Sequence, residues 1–147
     1  MTRSAATLND LIEIARDGLA FYTDAIANVK NPHLKDVFRS IVDAKQELIA
    51  ELGDEVRARG ALPSSDGTFV GGFRKLYADV RAKLASDKDA TYIVELEQSE
   101  DRLLRAFEQA AKEAANDASL HRIVLKCLPH VRRCHERMRT LKISLAA

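Results

Sequence analysis

The 147-residue sequence predicts an all-α protein: four long amphipathic helices packed as a bundle, with one long connection between the second and the third. Three observations predict it. Apolar residues recur at intervals of three and four along most of the chain, the period of a helix with one buried face. No stretch alternates apolar and polar residues as a half-buried strand would. The first and last helix pairs are joined by tight turns, whereas about thirty residues separate the second helix from the third.

The elements follow in order. Leu8, Leu11, Ile12, Ala15, Leu19, Tyr22, Ile26 and Val29 form one stripe on a helix from about residue 7 to 30, with Thr7 as its expected N-cap. In "KNPH", Asn31 caps the next helix and Pro32 takes its first position, where a missing N–H costs nothing. That second helix, about 32–59, buries Leu34, Val37, Phe38, Ile41, Leu48, Leu52 and Val56, and Gly60 and Pro63 stop it. After the loop "GALPSSDGT", Phe69, Val70, Phe73, Leu76, Tyr77, Val80 and Leu84 mark a shorter helix over about 69–85. Its Gly71–Gly72 pair costs roughly 1 kcal/mol per glycine relative to alanine. A third long helix, about 89–115, carries Ile93, Leu96, Glu100, Leu103, Leu104, Phe107 and Ala111 in its stripe. The fourth, about 119–143, carries Leu120, Ile123, Val124, Cys127, Val131, Cys134, Met138 and Leu141.

A short helix of this length spans roughly 25 Å at 1.5 Å per residue, enough with its flanking loops to carry the chain from one end of a bundle to the other. Tight outer hairpins with a long crossover are the ferritin-like arrangement; a simple up-down bundle with an extra helix is the alternative. At this length one core and a single domain, residues 1–147, are expected.

Composition narrows the function classes. Apolar residues make up 46% and charged residues 31%, and no window approaches the roughly 18 to 20 apolar residues of a bilayer span, so no membrane role is expected. The 23 basic and 22 acidic residues are interspersed, which argues against a nucleic-acid surface. Arg132, Arg133, Arg137 and Arg139 read as the solvated face of one helix. "MTRSAATLND" has no apolar segment of the secretory type, so the expected location is cytoplasmic.

"TLNDLIEIARDG", "NVKNPHLKDVF", "ELEQSEDRLLRAFEQA" and "HERMRTLK", spread over about residues 7–142, resemble a bacterial ferritin-like four-helix-bundle family known only as a domain of unknown function. The resemblance implies a ferritin-like fold and an association with stress, without an established reaction. Glu51, Glu100, Asp101 and His135 sit at positions similar to the family's, whereas "GLAFY" at 18–22 replaces a stretch expected to be glutamate-rich.

Ferritin-like oxidases hold two irons with one glutamate from each of two helices and a Glu-x-x-His pair from each of the other two. The residues three before His33, His121, His130 and His135 are lysine, alanine, cysteine and arginine, so every such pair fails. "CLPHVRRCHERMR" offers Cys127, His130 and Cys134 on adjoining turns of one face, a pattern that suits zinc. Both cysteines nevertheless fall in the apolar stripe, where free cysteine packs as a small hydrophobe. A disulfide between them is excluded, because seven residues of helix separate their Cα atoms by roughly 10 Å. Pro129 removes one N–H and is expected to bend the helix.

The polar residues inside the stripes draw more interest. Helices three and four turn near residue 117, so their levels match where residue numbers sum to about 235, which places Glu100 opposite His135. Tyr22 falls near the same height, and Glu51 lies roughly 15 Å away along the axis. A buried polar layer of Tyr22, Glu100 and His135 is expected, serving helix register. The competing reading is a metal site at Glu100 and His135, with Glu97 as a further ligand at the edge of the face and Asp101 pointing outward.

The sequence therefore predicts a non-enzymatic, stress-associated or interaction protein without an intact di-iron site and with no cofactor. An unknown protein partner or self-association is its expected partnership. The alternatives are an atypical bundle binding iron or another divalent metal, and a homo-oligomeric assembly subunit.

Overall fold

In the computed structural model, residues 2–67 and 87–145 are described. They form four helices, α1 (Arg3–Asn28), α2 (Pro32–Ala58), α3 (Lys88–Glu113) and α4 (Ala118–Ser144), and among the described residues there is no strand. The short helix expected over 69–85 lies outside the described residues.

Each helix begins on a side chain that accepts an otherwise unpaired N–H. Asn31 Oδ1 accepts from His33, Asp87 Oδ1 from Ala90 and Asp117 Oδ1 from Leu120, and Pro32 occupies the start of α2. The start of α1 departs from expectation. Thr2, not Thr7, is its cap, accepting from the Ala5 N–H at 3.1 Å. Thr7 is inside the helix and donates to the Arg3 carbonyl. Ala5 is fully buried, so the apolar stripe begins one turn before Leu8. After α2 the chain reverses through Gly60, whose φ of +75° suits a residue without Cβ. Helix α4 runs through Pro129 unbroken. Leu125, whose carbonyl loses a partner to that proline, is exposed.

Contacts at the helix ends establish the path of the chain. The N–H groups of Lys30 and Asn31, in the α1–α2 turn, donate to Asp89 Oδ1 and Oδ2 at 2.8 and 3.0 Å. Helix α3 therefore starts at the end where α2 starts and runs antiparallel to α1. At the opposite end Arg59, just past α2, donates to Ser119 Oγ at the start of α4. The segment between α2 and α3 must cross from one end of the bundle to the other, as the ferritin-like arrangement requires. Its first residues lie on α1: Asn9 donates to the Leu62 carbonyl and accepts from the Ser64 N–H, and Arg16 donates to the Ser64 carbonyl.

The core forms two apolar clusters, one above the other. One holds Leu8, Ile12, Leu52, Phe107 and Val124; the other holds Phe21, Tyr22, Phe38, Tyr92 and Met138. On every helix they part at the same height: after Ala15, before Leu48, before Leu103 and after Val131.

Asp89 both supports the first turn of α3 and holds the α1–α2 turn against it. Asp89→Ala should lower the urea midpoint by an amount equivalent to about 1–2 kcal/mol with an unchanged m-value. An unaltered midpoint would show that this clasp contributes nothing.

Candidate functional site

At the height where the two clusters part lies the most polar part of the interior. Lys45 replaces an apolar residue in the α2 stripe between Ile41 and Leu48, and Glu100 does the same in α3 between Leu96 and Leu103. Both side chains are closed off from water, 2% and 0% exposed, and Lys45 Nζ lies 2.6 Å from Glu100 Oε1. Tyr22, from α1, donates its hydroxyl to the same oxygen at 2.9 Å. The Lys45 ammonium also stands 5.6 Å from the centre of the Tyr22 ring, within cation–π range. Phe38 and Tyr22 pack edge to face with centroids 5.7 Å apart. Gly18 provides the room: a Cβ there would stand 3.3 Å from Lys45 Cε. Burial, and then the carboxylate of Glu100, push the Tyr22 phenol well above its ordinary value, so it remains a donor.

The expected layer of Tyr22, Glu100 and His135 is thus assembled differently. Tyr22 and Glu100 meet, but the third member is Lys45. His135 stands at the predicted height, turned toward the α3–α4 edge. Its Nε2 lies 3.5 Å from Glu97 Oε1 and 3.6 Å from Asp101 Oδ1, and its Nδ1 lies 3.8 Å from Glu136 Oε1. Glu97 is mostly buried, and Asp101 leans toward the imidazole instead of pointing away. The far oxygens of both carboxylates are held by cations, Glu97 Oε2 by Lys142 at 3.2 Å and Asp101 Oδ2 by Arg105 at 2.7 Å. Glu51 pairs with Lys126 at 2.7 Å, on the α2–α4 side.

Among the described residues, three buried side-chain atoms lack a hydrogen-bond partner: Glu100 Oε2, His130 Nε2 and His135 Nε2. Burial, then Arg133 and Lys45, lower the pKa of His130, which favours a neutral ring. Cys127 and Cys134 are free and buried. Burial, then Glu51, push the Cys127 thiol up to about 12, and burial, then Glu100, raise that of Cys134. Both thiols sit in the apolar clusters as small core side chains. As the side chains stand, no three histidine, cysteine, aspartate or glutamate residues among those described are gathered to hold a metal ion.

Lys45, Asp17, Asn9 and Glu95 are buried polar residues that stripe reading misses. For Lys45 a signal exists. The α2 stripe leaves a seven-residue gap from Ile41 to Leu48, and position 45 falls on the face that bridges it. Asp17 pairs with Arg102 at 3.1 Å, joining α1 to α3.

The helices and their crossover define a ferritin-like four-helix bundle. A solved structure described as ferritin like, diiron-carboxylate proteins from Bacillus anthracis str. Ames is similar, with a TM-score of 0.74 and 16% identity over 97% of this chain and 99% of that one. At that identity the likeness speaks for the fold alone. The family described as "Domain of unknown function (DUF2383)" matches residues 3–113, and the chain belongs to that family. No curated protein matches.

Removing one member of a buried ion pair strands the other charge. Lys45→Met or Glu100→Gln alone should cost about 3–5 kcal/mol in chemical unfolding. The double variant should cost less than the two together, by about 1–3 kcal/mol; simple additivity would mean that the pair is not coupled. The thiols give a second test. Native protein should react with an aromatic disulfide reagent only on unfolding. The stability that protonated Cys127 contributes is intact below about pH 9 and should decline as pH rises toward about 12. Prompt reaction of the native thiols at pH 8 would contradict this placement.

Proposed function

We propose that this chain is a non-enzymatic ferritin-like bundle, a cytoplasmic stress-associated or interaction protein, which lacks an intact di-iron centre. The observation that carries this reading is the Lys45 ammonium bonded to Glu100 at mid-core. A di-iron site needs anionic oxygens from all four helices at one level, because hard cations are held by several carboxylates. Here that level carries Gly18 and Tyr22 on α1, Lys45 and Leu48 on α2, Glu100 on α3, and Val131 and Cys134 on α4. One carboxylate remains, and a fixed positive charge already neutralises it. This donor set does not fit a pair of iron ions.

A cytoplasmic setting is supported by two free thiols, which suit a reducing compartment. It is also compatible with the described helices, none of which is long and apolar enough to cross a membrane.

Aerobic addition of ferrous iron to the purified chain tests the reading. Iron oxidation should proceed at the rate of the protein-free control. A faster rate that Glu100→Gln abolishes would overturn the proposal.

A further inference from the structure

The near-balance of charge over the whole chain hides an uneven distribution among its helices. Acidic residues outnumber basic ones four to two in α1, six to four in α2 and seven to four in α3. Helix α4 reverses this, with five arginines and two lysines against Glu136 alone. Three of those cations are engaged within the bundle: Lys126 with Glu51, Lys142 with Glu97 and Arg137 with Ser40. Arg122, Arg132, Arg133 and Arg139 are exposed, and none of them forms an ion pair with a described residue. The helical period sets Leu125, Pro129 and Ile143 along the middle of the same outer face, with Arg132 and Arg139 to one side and Arg122 and Arg133 to the other. Leu125 and Ile143 are 44% and 60% exposed. On the side toward α2, Val37, Arg137 and Leu141 border an open groove of about 330 Å³.

We propose that the outer face of α4 is a docking surface for an acidic amphipathic helix of another protein, which deepens the interaction-protein reading and rests on it. Charge complementarity selects the partner's sign: carboxylates are drawn to α4 and repelled by the three acidic helices around it. Arginine suits them, because its planar guanidinium bonds both oxygens of one carboxylate. The apolar midline selects the partner's form. A helix with apolar side chains at intervals of three and four seats them on Leu125, Ile143 and the groove, while its flanking carboxylates reach the arginines on either side. Glu136 lies within the stripe and sets the register, since a partner carboxylate opposite it is repelled. A nucleic-acid backbone makes no use of exposed leucine and isoleucine, and a basic stripe one helix wide, about 10 Å, between acidic neighbours offers a duplex too little positive surface. From Arg122 to Arg139 the stripe runs roughly 25 Å at 1.5 Å per residue, nearly five turns of a partner helix. Covering it removes apolar surface from water and neutralises four unmatched cations.

The test titrates the full chain, at neutral pH and low salt, into a fluorescent peptide of about five helical turns with leucines at intervals of three and four and glutamates on its other face. Anisotropy should show one peptide bound per chain, roughly tenfold or more tighter than a scrambled peptide of the same composition, and weakening as salt is raised. Arg132→Gln and Arg139→Gln together should weaken binding by roughly tenfold. Leu125→Gln should weaken it too, whereas Arg105→Gln, on the exposed side of α3, should leave it unchanged. These side chains are at the surface, so the variants keep the fold, which an unaltered urea midpoint verifies. Absence of saturable binding would overturn the proposal, as would equal binding of the scrambled peptide or indifference to the α4 arginine variants. Tighter binding of a DNA duplex or of phosphatidylglycerol vesicles would overturn it in favour of a polyanion. Self-association that the arginine variants abolish would give the face to a second copy instead. The ferrous oxidation assay reads the core separately, so failure of one reading is distinguishable from failure of the other.

Discussion

A lysine and a glutamate sealed from water 2.6 Å apart constrain everything packed around them. Either charge alone in that interior would be untenable, since desolvating it costs several kcal/mol that apolar neighbours cannot return. Together they are tolerated because one oxygen of Glu100 receives both the Lys45 ammonium and the Tyr22 hydroxyl. Three helices must therefore bring three particular positions to one height. Sliding any of them by a turn, about 5.4 Å, would part the pair and leave a charge in a dry core. Apolar stripes alone would permit such a slip, since leucine against isoleucine differs little from turn to turn. The polar layer adds direction to a core that otherwise has only volume.

That layer also explains why the core has two parts. Above it Tyr22, Phe38, Tyr92 and Met138 pack around aromatic rings; below it the residues are mainly leucine, isoleucine and valine. The boundary does not by itself reveal the topology. Glu100 lies near the middle of α3 and Lys45 near the middle of α2, so both would stand at similar heights whichever way α3 ran. Only the ends discriminate. Asp89 against the α1–α2 turn and Arg59 against Ser119 require the crossover, and these two contacts place the chain in the ferritin-like class independently of its relatives.

The same distinction between height and direction accounts for what could be read from the residues. Periodicity reveals the helices because burial selects one face of each, and Asn31 with Pro32 reveals the first hairpin because a capping side chain before a proline marks a helix start. Counting 1.5 Å per residue gives the height of Tyr22, Glu100 and His135 correctly, yet it carries no information about azimuth. His135 accordingly stands at the level of Glu100 while facing Glu97 and Asp101. Lys45 escapes a reading that counts only apolar residues, because lysine is almost never buried without a partner and its partner lies 55 positions away. Thr7 resembles a cap because it precedes the first large apolar residue; the true start is hidden by Ala5, too small to extend the stripe visibly.

One turn of α3 thus sends carboxylates in two directions with different consequences. Glu100 points into the bundle, where its counter-ion is covalently part of the chain and cannot be exchanged. Glu97 and Asp101, four residues apart, point along the seam with α4, where their shared neighbour is an imidazole that carries charge only when protonated. The difference follows from access. A charge at the centre of a bundle must be matched during folding by a group of the same chain, and the Lys45 stem passes close to Gly18, where a Cβ would stand 3.3 Å from its Cε. The seam carboxylates are met by Lys142 and Arg105, whose heads remain in reach of water, so these pairs constrain the packing far less. Charge matching inside the bundle therefore serves the fold, and it does so by fixing the heights of α1, α2 and α3 against one another.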